Sequence, residues 1–184
     1  MKKLLPLVFL LSCLSVEAAE LEGVKLDEQT SVAGSEVALL GAGLRTRLFF
    51  KVYVIGLYVS NLKGDPLTQP GPKRVQIQML RDVDAATFTD ALAEGIKANA
   101  SEAEAKALEP RVKQLSAVMA EVKEAKKGMR IALDWTGRQT QVLIDGKPAG
   151  SPIEGEDFYR ALLRIWLGEK PVQDDLKKAL LGAK

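Results

Sequence analysis

The β-like and helix-like patterns of this chain are separated along the sequence instead of alternating. Four β patterns come first, at Val24 to Gln29, Ser35 to Leu40, Leu44 to Val59 and Arg74 to Leu80. Helical patterns follow, then a hairpin pattern, then two more helices. A parallel sheet would need a long crossover connection, usually a helix, between its strands. The segregated order therefore predicts an α+β fold with a mostly antiparallel sheet.

Glycine and proline mark the breaks between the β patterns. Gly41 to Gly43 predicts a tight bend, and Gly64 to Pro72 predicts a loop. Between these breaks, Leu44 to Val59 is rich in aromatic and β-branched residues and is interpreted as one long strand. In Arg74 to Leu80 apolar and polar residues alternate, which is typical of a half-buried strand.

Capping residues mark the helices in the middle of the chain. Asp84 precedes an apolar repeat with a spacing of four and is predicted to cap its helix. Ser101 with Glu104 has the pattern of a capping box for the next helix. Pro110 is expected either to begin a fresh helix or to kink this one, because proline suits the first helical turn.

The last part of the chain predicts a hairpin and two short helices. Arg130 to Trp135 and Gln139 to Ile144 form the hairpin, and Asp145 to Gly146 predicts a second turn. The helices follow at Asp157 to Leu167 and Asp174 to Leu181. The second of these has acidic residues in its first turn and lysines later, which suits the helix dipole.

The N-terminus has the parts of a secretory signal peptide. A pair of lysines precedes the apolar run Leu4 to Val16, and cleavage before Ala19 fits the small-residue rule. The apolar run is shorter than the roughly 20 residues that span a bilayer. We therefore expect a signal peptide at residues 1–18 and a periplasmic or secreted protein. Lipid attachment at Cys13 is the less favoured alternative.

The remaining residues, 19–184, are predicted to form a single domain without a membrane span. They contain no internal repeat, low-complexity tract or second apolar run long enough to cross a membrane. The chain is long enough for one hydrophobic core. Its oligomeric state is left open.

Missing residue types exclude several kinds of chemistry. The chain has no histidine, which excludes histidine bases and histidine metal ligands. Its only cysteine, Cys13, lies in the predicted leader, so the mature chain would have no disulfide and no thiol nucleophile. The formal net charge of +2 gives no electrostatic sign of nucleic-acid binding, and no basic cluster indicates a membrane surface. We expect no cofactor, no metal and no nucleic-acid partner.

Four sequence segments carry a resemblance to a known family. The step Leu40 to Arg45, followed by Lys51 to Val59, resembles the conserved pattern of the chalcone isomerase-like superfamily. The tail Gly168 to Lys177 and the helical segment Ser101 to Ala105 are also similar to that superfamily, in the same order. The resemblance implies an open-faced β-sandwich, in which a layer of helices covers a large sheet and a ligand cleft lies between them.

The resemblance also implies which residues line the cleft. The cleft arginine of the superfamily corresponds to Arg45, and Tyr53 stands where isomerases have a threonine, as in the fatty-acid-binding branch. The catalytic tyrosine of the isomerases corresponds to Phe88. Their asparagine and second threonine correspond to Gly95 and Ile165, which offer no polar side chain.

These replacements favour binding over catalysis. Chalcone cyclisation needs a stabilised phenolate and controlled proton delivery, and most of the polar partners are missing. An apolar cleft with one arginine suits a small amphipathic carboxylate, such as a fatty acid, with Arg45 and Tyr53 at its head group. No residue is assigned a catalytic role.

Other interpretations stay open at this point. An isomerase or lyase would use Arg45 as electrophilic stabiliser and Tyr53 as proton donor. An interaction or envelope-maintenance protein would have a cleft without function. Arg45 can also be a solvated arginine at a strand edge, and Arg47 and Lys51 are expected to be solvated edge charges.

The distance between Arg45 and Tyr53 poses a geometric difficulty. On an unbroken strand, the eight residues from Arg45 to Tyr53 would span roughly 26 Å at about 3.3 Å per residue. Both side chains can reach one head group only if the chain turns back near Arg47 to Phe50. That segment has no glycine, asparagine or proline to favour a turn.

Overall fold

The computed structural model describes residues 19–182. Its strands are β1 (Ala19–Leu21), β2 (Val24–Leu26), β3 (Gln29–Val32), β4 (Ser35–Arg47), β5 (Phe50–Val59), β6 (Lys73–Met79), β7 (Val83–Asp84), β8 (Glu124–Ala125), β9 (Arg130–Trp135), β10 (Gln139–Ile144) and β11 (Lys147–Glu154). Its helices are α1 (Ala85–Ala98), α2 (Glu102–Ala120), α3 (Glu156–Leu167) and α4 (Asp174–Leu180). The predicted leader and Cys13 lie outside the described residues.

Seven strands form the main sheet in the order β11-β10-β9-β6-β5-β4-β3, and every neighbouring pair is antiparallel. Two small sheets, β1-β2 and β7-β8, lie beside it. The first two helices follow strands β1 to β7, and the last two close the chain. The predicted α+β class with an antiparallel sheet is therefore confirmed.

The helices cover one face of the main sheet. Val75, Ile77 and Met79 of β6 alternate with half-buried polar residues and enter the large core beneath the helices. The opposite face is covered in part by the β1-β2 hairpin, where Val24 and Leu26 pack with Val54. This layering gives the open-faced β-sandwich. No helix within residues 19–182 is long and apolar enough to span a membrane.

The segment Leu44 to Val59 is a hairpin, so its prediction as one strand was wrong. β4 and β5 are antiparallel, and Arg47 pairs with Phe50 at the end of the ladder. Leu48 and Phe49 form the turn, and Leu48 has a φ of 56°. A leucine seldom takes this left-handed conformation, because its side chain crowds the backbone there. The turn therefore forms without the residues that usually favour it.

The tight bend predicted at Gly41 to Gly43 is also wrong, since both glycines lie inside β4. The ladder shifts its register between Leu39 and Gly41, which is a β-bulge. A Cβ atom on Gly41 would lie 2.8 Å from the main-chain oxygen of Leu180 and closer still to that of Ala179. These glycines are needed because α4 packs directly on the strand.

The predicted N-caps are confirmed, but the predicted capping box is incomplete, because the Glu104 carboxylate pairs with Arg164. The side chain of Asp84 accepts a hydrogen bond from Thr87 N at 3.0 Å, and Ser101 Oγ accepts one from Glu104 N at 3.2 Å. Pro110 neither begins a helix nor divides one, because α2 continues through it.

Several strand boundaries differ from prediction. Val24 to Gln29 belongs to two strands in different sheets, β2 and β3. The hairpin of β9 and β10 has the predicted bounds. After the predicted turn at Asp145, the chain forms an additional edge strand, β11, which the sequence analysis missed. Its proline residues and mostly exposed side chains concealed the strand pattern.

Candidate functional site

The hairpin turn brings Arg45 and Tyr53 together. Their Cα atoms are direct partners across the β4-β5 ladder. Directly opposed residues in an antiparallel pair lie about 5 Å apart and point to the same face of the sheet. The separation of roughly 26 Å expected for one strand therefore does not apply.

Tyr53 lies on the helix-facing side of β5. Its side chain is 7% exposed, and its hydroxyl accepts a hydrogen bond from Nε1 of Trp166 in α3 at 3.0 Å. Burial raises the pKa of the Tyr53 hydroxyl, while the Trp166 bond and the nearby Arg45 guanidinium oppose the shift. The phenol is therefore protonated at neutral pH and retains a proton that it can donate.

Arg45 is half-buried near the end of β4. Its Nη1 donates to the main-chain oxygen of Thr46 at 2.7 Å and to Oε1 of Gln173 at 3.4 Å. No carboxylate among residues 19–182 forms an ion pair with it. The guanidinium thus has neutral oxygen acceptors and an uncompensated positive charge.

Gln173 fixes the backbone around Arg45. It lies at the N-cap of α4, and its Oε1 also accepts from Thr46 N at 3.0 Å. Its Nε2 donates to the main-chain oxygen of Leu44 at 3.2 Å. One amide therefore joins the start of α4 to the strand that carries Arg45, next to the place where Gly41 and Gly43 allow that helix to approach.

Arg45 and Tyr53 line a narrow cleft between the sheet and the helices. Its volume is about 80 Å³, and Phe88 and Leu92 of α1 and Ile165 of α3 form the opposite wall. Arg45, Arg47, Tyr53 and Thr87 supply polar side chains beside this apolar wall. The cleft is therefore a small space with an apolar wall, and two cations, a phenol and a hydroxyl also line it.

Phe88, Gly95 and Ile165, which the resemblance aligns with polar residues of the isomerases, lie at or beside this cleft. Phe88 and Ile165 line it directly. Gly95 lies behind them, where an added Cβ atom would be 2.8 Å from Cγ2 of Ile165. This contact shows that the glycine and the isoleucine are complementary, because the bulk of Ile165 occupies the space that a side chain at position 95 would need.

A second depression adjoins the cleft at the base of the β4-β5 hairpin. Its volume is about 320 Å³, and Leu48 and Phe50 contribute to its lining. It shares residues with the cleft, namely Arg47, Val52, Val83 and Thr87. The small cleft thus continues toward the hairpin turn.

A larger depression lies elsewhere on the described residues. It has a volume of about 560 Å³ and is lined by the ends of α1 and α3, with Arg164, Lys170 and Lys177 around it. Arg164 pairs with Glu104, and Lys177 donates to the main-chain oxygen of Gly168 at 2.8 Å. Arg164 thus has a carboxylate partner, whereas Lys177, like Arg45, donates to a neutral main-chain oxygen.

Several other aromatic and charged side chains lie in the core, in the first turn of α4 or on the surface. Trp135 and Phe158 are buried in the main core, and Asp174 and Asp175 occupy the first turn of α4. Arg47 and Lys51 are exposed, and Lys51 pairs with Glu22. Within residues 19–182, no group of three or more acidic, histidine or cysteine residues is arranged to hold a metal ion.

Sequence analysis missed the roles of Gln173 and Trp166. Gln173 precedes the acidic first turn of α4, where a capping side chain is expected, yet its amide points to β4 instead. Trp166 is 1% exposed in the core. An indole N–H that is buried needs an acceptor, which was the one signal that a polar partner lay nearby.

The fold and the cleft define a class of α+β proteins in which helices close an apolar cleft over an antiparallel sheet. A family model described as chalcone isomerase-like matches residues 18–182. Because the match covers most of the chain, the protein belongs to the chalcone isomerase-like family. Comparison with curated protein sequences finds no match.

A solved structure shares the architecture. The fatty-acid binding protein AtFAP1 of Arabidopsis thaliana superposes with a TM-score of 0.69 at 14% sequence identity. The superposition covers 90% of this chain and 96% of that protein. At this identity the likeness establishes the common fold.

Proposed function

We propose that the protein binds a small amphipathic carboxylate, similar to a fatty acid, with its head group at Arg45 and Tyr53. The observation that carries the proposal is the half-buried Arg45 guanidinium, which has no ion pair among the described residues and lies beside an apolar cleft. A partly buried charge is costly unless it is compensated, and a carboxylate would compensate it.

The hydrogen-bonding groups around the cleft suit a carboxylate. Arg45 Nη1 donates to the neutral oxygens of Thr46 and Gln173, and the guanidinium also interacts with the Tyr53 hydroxyl, whose proton has no acceptor among the described residues. A carboxylate has only acceptors and so complements these donors. Charge-assisted hydrogen bonds of this kind contribute about 1.5–3 kcal/mol each.

The volume of the cleft limits what can enter it. About 80 Å³ corresponds to the liquid volume of two to three water molecules at about 30 Å³ each. Clefts for whole ligands usually measure about 300–1,000 Å³. In our proposal the head group therefore occupies the cleft, and the tail extends along the adjoining depression of about 320 Å³.

The apolar lining supports binding more than isomerisation. Phe88 and Ile165 line the cleft and correspond, by the resemblance, to polar residues of the isomerases, and neither side chain can donate or accept a hydrogen bond. The similar structure AtFAP1 is itself described as a fatty-acid binding protein. Each burial of a methylene group of the tail would contribute about 0.8 kcal/mol.

Calorimetric titration with palmitate as the probe tests the proposal. Arg45→Ala is expected to weaken binding by roughly 10- to 150-fold, because it removes a charge-assisted contact of about 1.5–3 kcal/mol. Arg138→Ala is the matched control. Arg138 is exposed in the β9-β10 turn, and its loss should leave palmitate affinity unchanged.

Mass spectrometry under non-denaturing conditions provides an independent measurement. The purified wild-type protein should retain an added or co-purified fatty acid that Arg45→Ala loses. A clean ligand-free mass for the wild type after incubation with palmitate would contradict the proposal. Equal affinity of the Arg45→Ala and Arg138→Ala variants would place the head group elsewhere.

A further inference from the structure

The turn of the β4-β5 hairpin exposes three consecutive apolar side chains. Leu48 is 84% exposed, Phe49 is 99% exposed and Phe50 is 56% exposed. Residues of this kind are normally buried, and an exposed cluster of them marks an interaction site. The strained φ of 56° at Leu48 maintains a turn that presents them.

Basic side chains surround this hairpin tip, which we define as residues 48–50. Arg47 and Lys51 flank it in the sequence, and the guanidinium of Arg81 lies over the Phe50 ring at 4.5 Å from its centroid. Arg47 and Arg81 form no ion pair with a carboxylate of residues 19–182. Sequence analysis missed this cluster because Arg81 is remote from the tip along the chain.

The acidic groups near the tip are engaged with the protein. Glu22 pairs with Lys51 at 2.6 Å. Asp82 accepts a hydrogen bond from Lys127 N at 2.7 Å, and Asp84 caps α1. Two arginines thus remain without a carboxylate partner beside the apolar tip.

We propose that the hairpin tip inserts into the interface of an anionic phospholipid bilayer. Apolar side chains that enter the boundary between head groups and acyl chains, together with cations that contact anionic lipids, are the two contributions to interfacial membrane binding. The tip is a convex point of three adjacent side chains, whereas a stable protein interface buries about 800 Å² on each partner. Its size and charge therefore suit a bilayer.

The hairpin tip lies next to the depression that adjoins the cleft. Leu48 and Phe50 line the depression that continues into the Arg45 cleft. A bilayer at the tip would therefore contact the open end of the cleft. Docking goes beyond the proposed carboxylate binding and does not depend on it, but the two together would let the protein exchange an amphiphile with a membrane.

A fluorescent reporter at the tip tests the docking locally. Phe49→Trp in the full chain is mixed with vesicles of phosphatidylglycerol and phosphatidylethanolamine, some with brominated acyl chains. We expect a blue shift of the emission and quenching by the brominated lipid. The buried Trp135 and Trp166 give a constant background.

The matched control is Leu62→Trp, because Leu62 is also an exposed apolar residue, at 53%, in a different loop. Its emission should not respond to the vesicles. Both variants have the same N-terminal segment, so any contribution of that segment to vesicle binding affects them equally. No quenching at position 49, or equal quenching at both positions, would overturn the proposal.

A second pair of measurements separates apolar from electrostatic contributions. Phe49→Ser should lower vesicle affinity roughly tenfold or more, and Arg81→Glu should weaken binding to anionic vesicles more than to phosphatidylcholine vesicles. Wild-type affinity in both variants would contradict the proposal. Palmitate titration of Phe49→Ser without vesicles should match the wild type, so failure of docking and failure of carboxylate binding give different results.

Discussion

The amide of Gln173 determines how Arg45 is presented to the cleft. Its oxygen accepts hydrogen bonds from the Arg45 side chain and the Thr46 backbone, and its nitrogen donates to Leu44. These contacts are neutral. They orient the guanidinium without cancelling its charge, which leaves Arg45 able to attract a carboxylate.

Substitution of Gln173 by glutamate should separate orientation from charge. Gln173→Glu keeps an oxygen for Arg45 and Thr46, but it adds a negative charge and replaces the Nε2 donor to the Leu44 oxygen with an acceptor. We expect palmitate affinity to fall roughly tenfold or more, because the protein's own carboxylate would compensate Arg45. Gln173→Ala is the comparison and should bind palmitate better than Gln173→Glu. Thermal unfolding should show that the glutamate variant remains folded, and unchanged palmitate affinity would contradict this account.

Arg45 and Tyr53 were identified at the residue level from a family resemblance, but their contact was not predicted. The missing information was the turn at Leu48, which takes a φ of 56° although leucine does not favour it. Turn rules consider the local preference of each residue. Here the long antiparallel ladder on both sides of the turn outweighs that preference.

At the scale of elements, α4 and β4 depend on each other. Gly41 and Gly43 have no side chains on the helix-facing side of β4, and an added Cβ atom on Gly43 would meet Cδ1 of Leu176 and, at 3.1 Å, Cβ of Ala179. The sequence pattern suggested a bend because glycine often permits one. Its use for a close approach of a helix could be seen only once α4 was placed on the sheet.

Alanine substitutions at these glycines should have different costs. In a strand, Gly→Ala usually stabilises by about 0.4–1 kcal/mol when the backbone tolerates it. Gly41→Ala should instead destabilise the protein by about 1–3 kcal/mol, because its Cβ meets main-chain atoms of α4. Gly43→Ala should cost less, since the Leu176 side chain can rotate away. Urea unfolding measures both, and equal costs would show that α4 moves as a body.

At the scale of the whole molecule, the segregated order of patterns was sufficient to predict the α+β class, and the family resemblance predicted the sandwich. The narrow volume of the cleft was not predictable. It results from the packing of Phe88, Leu92 and Ile165 from two helices against β5, and such packing depends on contacts between distant segments. The basic cluster around the hairpin tip was not predictable for the same reason, because it also depends on a contact between distant segments.

Buried tyrosines give the folded molecule a characteristic response to alkali. Burial raises the pKa of Tyr53, Tyr58 and Tyr159, that of Tyr58 to about 12. The unfolded chain releases these protons near pH 10, while the folded state retains them. The free energy of unfolding should therefore decrease as the pH rises above 10. Lys73 has the opposite effect, because burial lowers its pKa. Below pH 10.5 the folded state binds fewer protons at Lys73 than the unfolded chain does, so this residue makes the free energy of unfolding rise with pH.

Tyr58 is suited to a test of this response because its hydroxyl makes no hydrogen bond with residues 19–182 and Tyr58→Phe removes only the ionisable group. Between pH 10 and 12 the free energy of unfolding of the wild type should fall more steeply than that of Tyr58→Phe. The difference in slope is at most about 1.4 kcal/mol per pH unit, the value for one proton. Urea denaturation at a series of pH values measures both slopes. Parallel curves would mean that Tyr58 ionises equally well in the folded and in the unfolded protein. The tight packing of Tyr58 against Val32 and Val37 would then not disfavour its charged form.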